Sequence, residues 1–183
     1  MTTARWPVPW KISTNISPAQ FKSTELVPAV VSAIALSGLA PQRLELEVTE
    51  TAIMDDSASV FDMLRQLQSL DARIALDDFG TGYSSLSFLQ RFPFDKIKID
   101  RIFINELFSQ NDEARNIARA VVRFAVSLDK TTTAEGVETI EQADYLRAEG
   151  CNEMQGYYLG RPARLTEFAE AARIRLKVAA TAA

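Results

Sequence analysis

No histidine occurs anywhere in the 183 residues, and cysteine occurs once, at Cys151. The missing histidine excludes imidazole bases, Ser-His nucleophiles and the usual histidine-ligated zinc centres. A metal held by this chain must take oxygen ligands, which suits Mg2+ or Mn2+. A single cysteine forms no internal disulfide, as expected of a reducing compartment. No apolar run approaches the ~20 residues that span a bilayer, and the opening MTTARWPVPW lacks the apolar core of a secretory signal. The expected location is therefore cytoplasmic, with no membrane partner. Basic charge is not in excess either: 20 Lys and Arg against 24 Asp and Glu leave −4. That disfavours a nucleic-acid polymer as ligand. An anionic ligand has to be held locally, by metals or by a few cations.

What is present is a globular composition, 47% hydrophobic and 24% charged, sufficient for one core. Apolar and polar residues alternate over Arg43–Thr49 and Asp95–Ile99, as they do in strands; Arg73–Asp77 reads as a further strand and Lys11–Ile16 as a short extended run. Thr131–Ala134 and Asn152–Gln155 are shorter extended runs. Between them lie helical stretches: Thr24–Ser37, stopped by Gly38 and Pro41; a helix capped by Asp55 or Asp56 and running to Leu70; and a short one ending before Pro93. Residues 113–129 predict an amphipathic helix with Ile117, Val121, Phe124 and Leu128 on one stripe. Thr139 and Gln142 make a capping box for a helix ending at Gly150. A last helix is expected over Thr166–Lys177. One domain is expected over residues 1–177, with the Ala-rich 178–183 frayed.

Six strands, nearly all followed by helices, predict a parallel sheet, either open and doubly wound or closed as a barrel. The C-terminal ends of these strands share one property. They carry Asn15, Glu47 with Glu50, Asp77 with Asp78, Lys98 with Asp100, Glu135 with Glu138, and Gln155. Strand ends of a parallel sheet converge on one face, where sites are built. Carboxylates and an amide gathered there can hold hard cations for an in-line phosphoryl displacement. Lys98 can orient a water or neutralise developing charge, and Glu135 can take a proton. Taken singly, these residues have plainer readings. Glu45, Glu47, Lys96 and Lys98 read as the solvated side of edge strands, and Asp77-Asp78-Phe79-Gly80 reads equally as a turn with an N-cap. Only their joint placement argues for a site.

Six strings resemble the EAL-domain family of bacterial phosphodiesterases that open cyclic di-GMP to pGpG. They are NISPAQF (15–21), LELEVTET (44–51), ALDDFGTGYSSL (75–86), FDKIKIDRIFI (94–104), TAEGVET (133–139) and GCNEMQGYYLGRP (150–162). The resemblance implies a TIM-type barrel with one modified strand direction and two Mg2+ or Mn2+ ions. By motif, Asn15, Glu47, Asp77 and Asp78 resemble metal ligands. Lys98 resembles the lysine that positions the attacking water, and Glu135 the proposed general base. Gln155, Asp100 and Glu138 resemble members of the site's polar network. Glu50 resembles the anchor of the loop Phe79–Ser85, which is implied to couple the site to a dimer interface.

The Glu-Ala-Leu strand that names the family, and the strand before it, would precede residue 1. The expected fold is therefore an incomplete TIM-type (β/α) barrel of about six of eight strands. The family's glutamate ligand on that strand would be missing, and with it normal binding of the two metals. Open edges near Lys11–Ile16 and Asn152–Gln155 predict self-association. Two functions follow: a cyclic di-GMP phosphodiesterase, or a catalytically inactive module that binds the nucleotide or a protein.

Overall fold

The computed structural model describes residues 10–54, 57–80, 92–110, 112–164 and 167. The chain runs through β1 (Ile12–Ile16), α1 (Pro18–Phe21), α2 (Leu26–Ser37), a 3-10 turn (Pro41–Arg43), β2 (Leu44–Thr49), α3 (Glu50–Met54) and α4 (Ser57–Ser69). There follow β3 (Arg73–Phe79), β4 (Lys96–Ile99), α5 (Arg101–Asn105), α6 (Glu113–Ser127), β5 (Thr131–Ala134), α7 (Ile140–Glu149) and β6 (Glu153–Met154). Among the described residues no helix is long and apolar enough to cross a membrane.

The six strands lie in one sheet in the order β1-β2-β3-β4-β5-β6, and every neighbouring pair is parallel. That order decides between the two architectures open at the sequence level. A doubly wound sheet reverses its strand order part-way. Here each connection steps to the next strand in the same sense, as in a curling barrel wall.

Each strand sends one set of side chains to the helices and the other to the concave interior. Leu46 and Val48, Ile74 and Leu76, and Ile97 and Ile99 join Val60, Leu64 and Leu67 of α4 and Leu146 of α7 in one buried cluster. Burying each such side chain stabilises the fold by about 1.5–3 kcal/mol. The alternate residues, Glu45, Glu47, Asp77, Lys96 and Lys98, are also buried. They are not a solvated edge but the polar lining of a barrel interior.

The expected strands and main helices are present, with three informative differences. First, α6 turns Ala114, Ala118, Val121, Val122 and Ala125 fully inward, while Ile117, Phe124 and Leu128 flank this line half-buried. Alanines at the centre let the helix approach the sheet closely, and larger residues fill the sides. Second, the turn expected at Ser17-Pro18 opens a short helix: Pro18 sits at its first position and the Ser17 N–H donates to Gln20 Oε1 at 2.9 Å. Third, α3 and α5 begin directly at strand ends, too short to show helical periodicity. The capping box at Thr139 is formed, and Gly150 ends α7 in the left-handed conformation. The caps Asp55 and Asp56, the short helix before Pro93, the loop beyond Gly80, the helix Thr166–Lys177 and the tail 178–183 lie outside the described residues.

Candidate active site

β2, β3, β4 and the turn after β5 deliver Glu47, Asp77, Lys98 and Glu135 to one point. Lys98 Nζ lies 2.9 Å from Glu47 Oε2, 2.8 Å from Asp77 Oδ1 and 2.7 Å from Glu135 Oε1. Lys98 is 4% exposed, and Glu47 and Asp77 are each 8% exposed. Burial opposes the charge on Lys98. The surrounding carboxylates of Asp77, Glu135 and Glu47 outweigh it and hold the ammonium well above its ordinary range. One cation among three carboxylates leaves the cluster negative.

The backbone explains how two adjacent aspartates share this cluster. In a regular strand, Asp77 and Asp78 would point to opposite faces. Here the β3–β4 register shifts between Leu76 and Phe79, and Asp78 is left-handed with φ 55°. This irregularity breaks the alternation, and aspartate tolerates the conformation better than most residues. As a result Asp77, Asp78 and Glu135 each bring a carboxylate oxygen within 4.8 Å of the others. Burial, then the Asp77 charge, then a hydrogen bond with Asp100 push the Asp78 carboxyl up to about 6. Burial likewise raises Glu135, against the opposing pull of Lys98.

This donor set fits a hard divalent cation. It offers oxygen alone, it is net negative, and buried Asp77 Oδ1 has no hydrogen-bond partner among the described residues. Its 2.8 Å approach to Lys98 Nζ is Coulombic contact without hydrogen-bond direction.

Two further expected residues adjoin the cluster. Asp100 caps α5, accepting from the Ile102 N–H at 2.7 Å, and also meets Asp78. Glu50, 3% exposed, accepts from the Gly80 N–H at 3.3 Å and so holds the start of the segment after Asp78. Asn15, Glu138 and Gln155 sit at the expected strand ends, but all three are exposed. Asn15 is in register with Glu47. The Glu138 N–H donates to Gln142 Oε1 at 2.7 Å, within the α7 cap. Gln155 is bound through its backbone, to Ala134 O at 2.8 Å and from the Val137 N–H at 3.0 Å.

That backbone seam makes Gly156 essential. A Cβ there would stand 2.1 Å from Val137 O and 2.3 Å from Val137 N. Both atoms are main chain, so the turn carrying Glu135 would have to shift. Gly156→Ala is expected to lower the melting temperature by about 4 °C or more and to weaken divalent-cation binding. Calorimetry and a Mn2+ titration check this; unchanged Mn2+ affinity would separate the seam from the site.

Sequence reasoning missed a second charged group. Lys96 Nζ lies 2.7 Å from Glu45 Oε2 and 2.5 Å from Glu153 Oε2, and Lys11 Nζ lies 2.7 Å from Glu153 Oε1. Burial opposes ionisation of Glu153, but Lys11 and Lys96 hold its carboxyl down to about 2. The signal was available: each member stands two residues before, or close to, a residue already singled out, and residues i and i+2 share a strand face.

Comparison with known proteins places this geometry. The EAL domain family model matches residues 2–162. A signalling protein of Caulobacter vibrioides is 50% identical over 160 residues, covering 87% of this chain and 20% of that protein. The bifunctional diguanylate cyclase/cyclic di-GMP phosphodiesterase MucR of Pseudomonas aeruginosa is 45% identical over 153 residues, covering 84% of this chain and 22% of that protein. The chain thus spans about a fifth of the length of these curated relatives. The solved structure of the MucR phosphodiesterase in complex with c-di-GMP superposes with a TM-score of 0.83 at 42% identity, covering 87% of this chain and 64% of that one. A manganese/cy-diGMP complex of BlrP1 from Klebsiella pneumoniae superposes at 0.77 with 32% identity, covering 84% and 39%. The six-stranded wall with its carboxylate cluster is part of a TIM-type barrel, and the chain belongs to the EAL-domain family.

Proposed function

We propose that this chain is a phosphodiesterase domain that hydrolyses cyclic di-GMP to pGpG with the help of Mg2+ or Mn2+. The observation that carries the reading is the convergence of Asp77, Asp78 and Glu135 around Lys98 at the barrel mouth. Relatives whose names include cyclic di-GMP phosphodiesterase, and solved relatives holding the dinucleotide, support the choice of substrate.

Asp77 and Asp78, with Glu47 and Asn15 in register on β2 and β1 beside them, would hold the cations, which would supply positive charge to the phosphate and to the attacking oxygen. The chain's own groups do the rest. Lys98, held among three carboxylates, would offset charge built up as the water oxygen bonds to phosphorus. Glu135, raised by burial, is suited to take the proton which that water gives up. The bond from phosphorus to the ribose 3′-oxygen breaks, and the proton taken up by Glu135 is returned, through solvent, to that oxygen. Asp100 fixes Asp78, and Glu50 fixes the start of the loop at Gly80. Gln155 and Glu138 complete the polar rim. Among the described residues β1 and β6 end the sheet, and pairing through them would give self-association, to be measured by sedimentation.

The test is to incubate the chain with cyclic di-GMP and Mn2+, with a chelator control, and to follow pGpG by chromatography. Formation of pGpG that the chelator stops is the expected result. Binding of the dinucleotide without turnover would overturn the enzyme reading in favour of a binding module.

A further inference from the structure

The second charged group lies one layer below the proposed site. On five strands its members stand two residues before a site residue: Ser13 before Asn15, Glu45 before Glu47, Lys96 before Lys98, Thr133 before Glu135, and Glu153 before Gln155. Two residues along a strand is roughly 6.6 Å on the same face. On β3 the corresponding position, two before Asp77, is Ala75, fully buried. Its methyl group leaves room for Lys96 on β4 to reach Glu45 on β2 across the intervening strand.

The contacts form a closed circuit. Ser13 Oγ donates to Glu45 Oε1 at 3.2 Å, Glu45 Oε2 pairs with Lys96 at 2.7 Å, and Lys96 pairs with Glu153 Oε2 at 2.5 Å. Thr133 Oγ1 donates to Glu153 Oε2 at 3.2 Å. Glu153 Oε1 pairs with Lys11 at 2.7 Å, and the backbone from Lys11 to Ser13 completes the loop. Backbone hydrogen bonds join only neighbouring strands, and among the described residues β1 and β6 are the two edges of the sheet. The Lys11–Glu153 pair is a link between those edges. Such ties act as chords across the concave face and oppose flattening. The curvature they hold also sets how closely the strand ends one layer higher approach each other.

We infer that Lys96, Glu153 and Lys11 are positioning residues: their ring across the barrel interior sets the spacing of Glu47, Asp77, Lys98 and Glu135. The inference rests on the proposed function only where it speaks of metal and catalysis; the spacing itself is a property of the fold.

Two variants test it. Lys11→Met removes the link between the edges at a position 45% exposed in its side chain, and Glu153 keeps Lys96. The triple variant Lys96→Met/Glu45→Gln/Glu153→Gln removes the ring and leaves no buried charge alone in it. The first readout is the side-chain ammonium signal of Lys98 in a 1H–15N correlation spectrum, which needs no metal and no turnover. The second is the Mn2+ midpoint followed by electron paramagnetic resonance. In both variants the Lys98 signal is expected to move and the Mn2+ midpoint to rise by about tenfold. Lys96→Arg, which keeps the charge, is expected to retain the wild-type midpoint. Folded variants with an unmoved Lys98 signal would overturn the inference and leave the ring a purely stabilising feature. If the triple variant does not fold, Lys11→Met decides alone. A wild-type chain that fails to bind Mn2+ would overturn the proposed function, and the Lys98 signal would still decide the ring.

Discussion

Replacing Lys98 by Met is expected to destabilise the domain by about 3–5 kcal/mol, because the loss of one partner leaves the other buried charges uncompensated. Glu47 and Asp77 are each 8% exposed, and Lys98 is their shared cation together with Glu135. Methionine matches the aliphatic stem of lysine, so cavity formation adds little and the loss reports on charge. The deficit should be specifically reversible. A divalent cation binding among the same carboxylates supplies the missing positive charge and stabilises by mass action, by about 2.7 kcal/mol at a hundredfold excess over its Kd. Thermal unfolding of the variant with Mn2+ and with chelator should therefore differ more than the same pair of measurements on the wild type. A variant as stable as wild type in chelator would show that the cluster carries no net electrostatic strain for Lys98 to relieve. Turnover should be lost in either case, since under the proposed function the ammonium also offsets charge on the phosphate.

Replacing Asp77 by Asn is expected to separate binding from folding in the opposite way. The amide keeps the shape and removes one negative charge, while Lys98 retains Glu47 and Glu135. The fold should persist. The cation site should not, because a hard ion loses charge and a strong oxygen donor together. Mn2+ affinity is expected to fall by about a hundredfold, the upper range for groups that merely support a ligand, and pGpG formation to drop below detection. Titration calorimetry and chromatography on one preparation check both. Wild-type Mn2+ affinity in Asp77→Asn would move the cation site away from Asp77.

Several elements were legible because they rest on local rules. The alternation in Leu44–Thr49 and Lys96–Ile99 is enough to put Glu47 and Lys98 on the polar faces of their strands. The capping box at Thr139 and the left-handed glycines at Gly38 and Gly150 set helix ends through short-range hydrogen bonds. The stripe of α6 does face the core, with Val121 buried and Ile117, Phe124 and Leu128 packed against it; the pattern did not reveal that alanines line its centre, where they let the helix come close. Glu45 and Lys96 read as solvated, since charge ordinarily seeks water. In the structure they are buried because each neutralises the other inside the barrel.

Order along the chain was sufficient for the parallel strand–helix repeat, the family, and the set of polar residues at the strand ends. These follow from periodicity and motif, which are properties of neighbours in sequence. Which of those residues meet is a matter of packing in three dimensions. Packing brought Glu47, Asp77, Asp78, Lys98 and Glu135 together and left the Asn15, Glu138 and Gln155 side chains exposed. It turned Asp78 onto the same face as Asp77, and it tied Lys11 to Glu153 across 142 residues of chain. The physical reason is that sheet curvature, a bulge and burial arise from packing all the strands at once. No short stretch of residues encodes the distance between two strand ends.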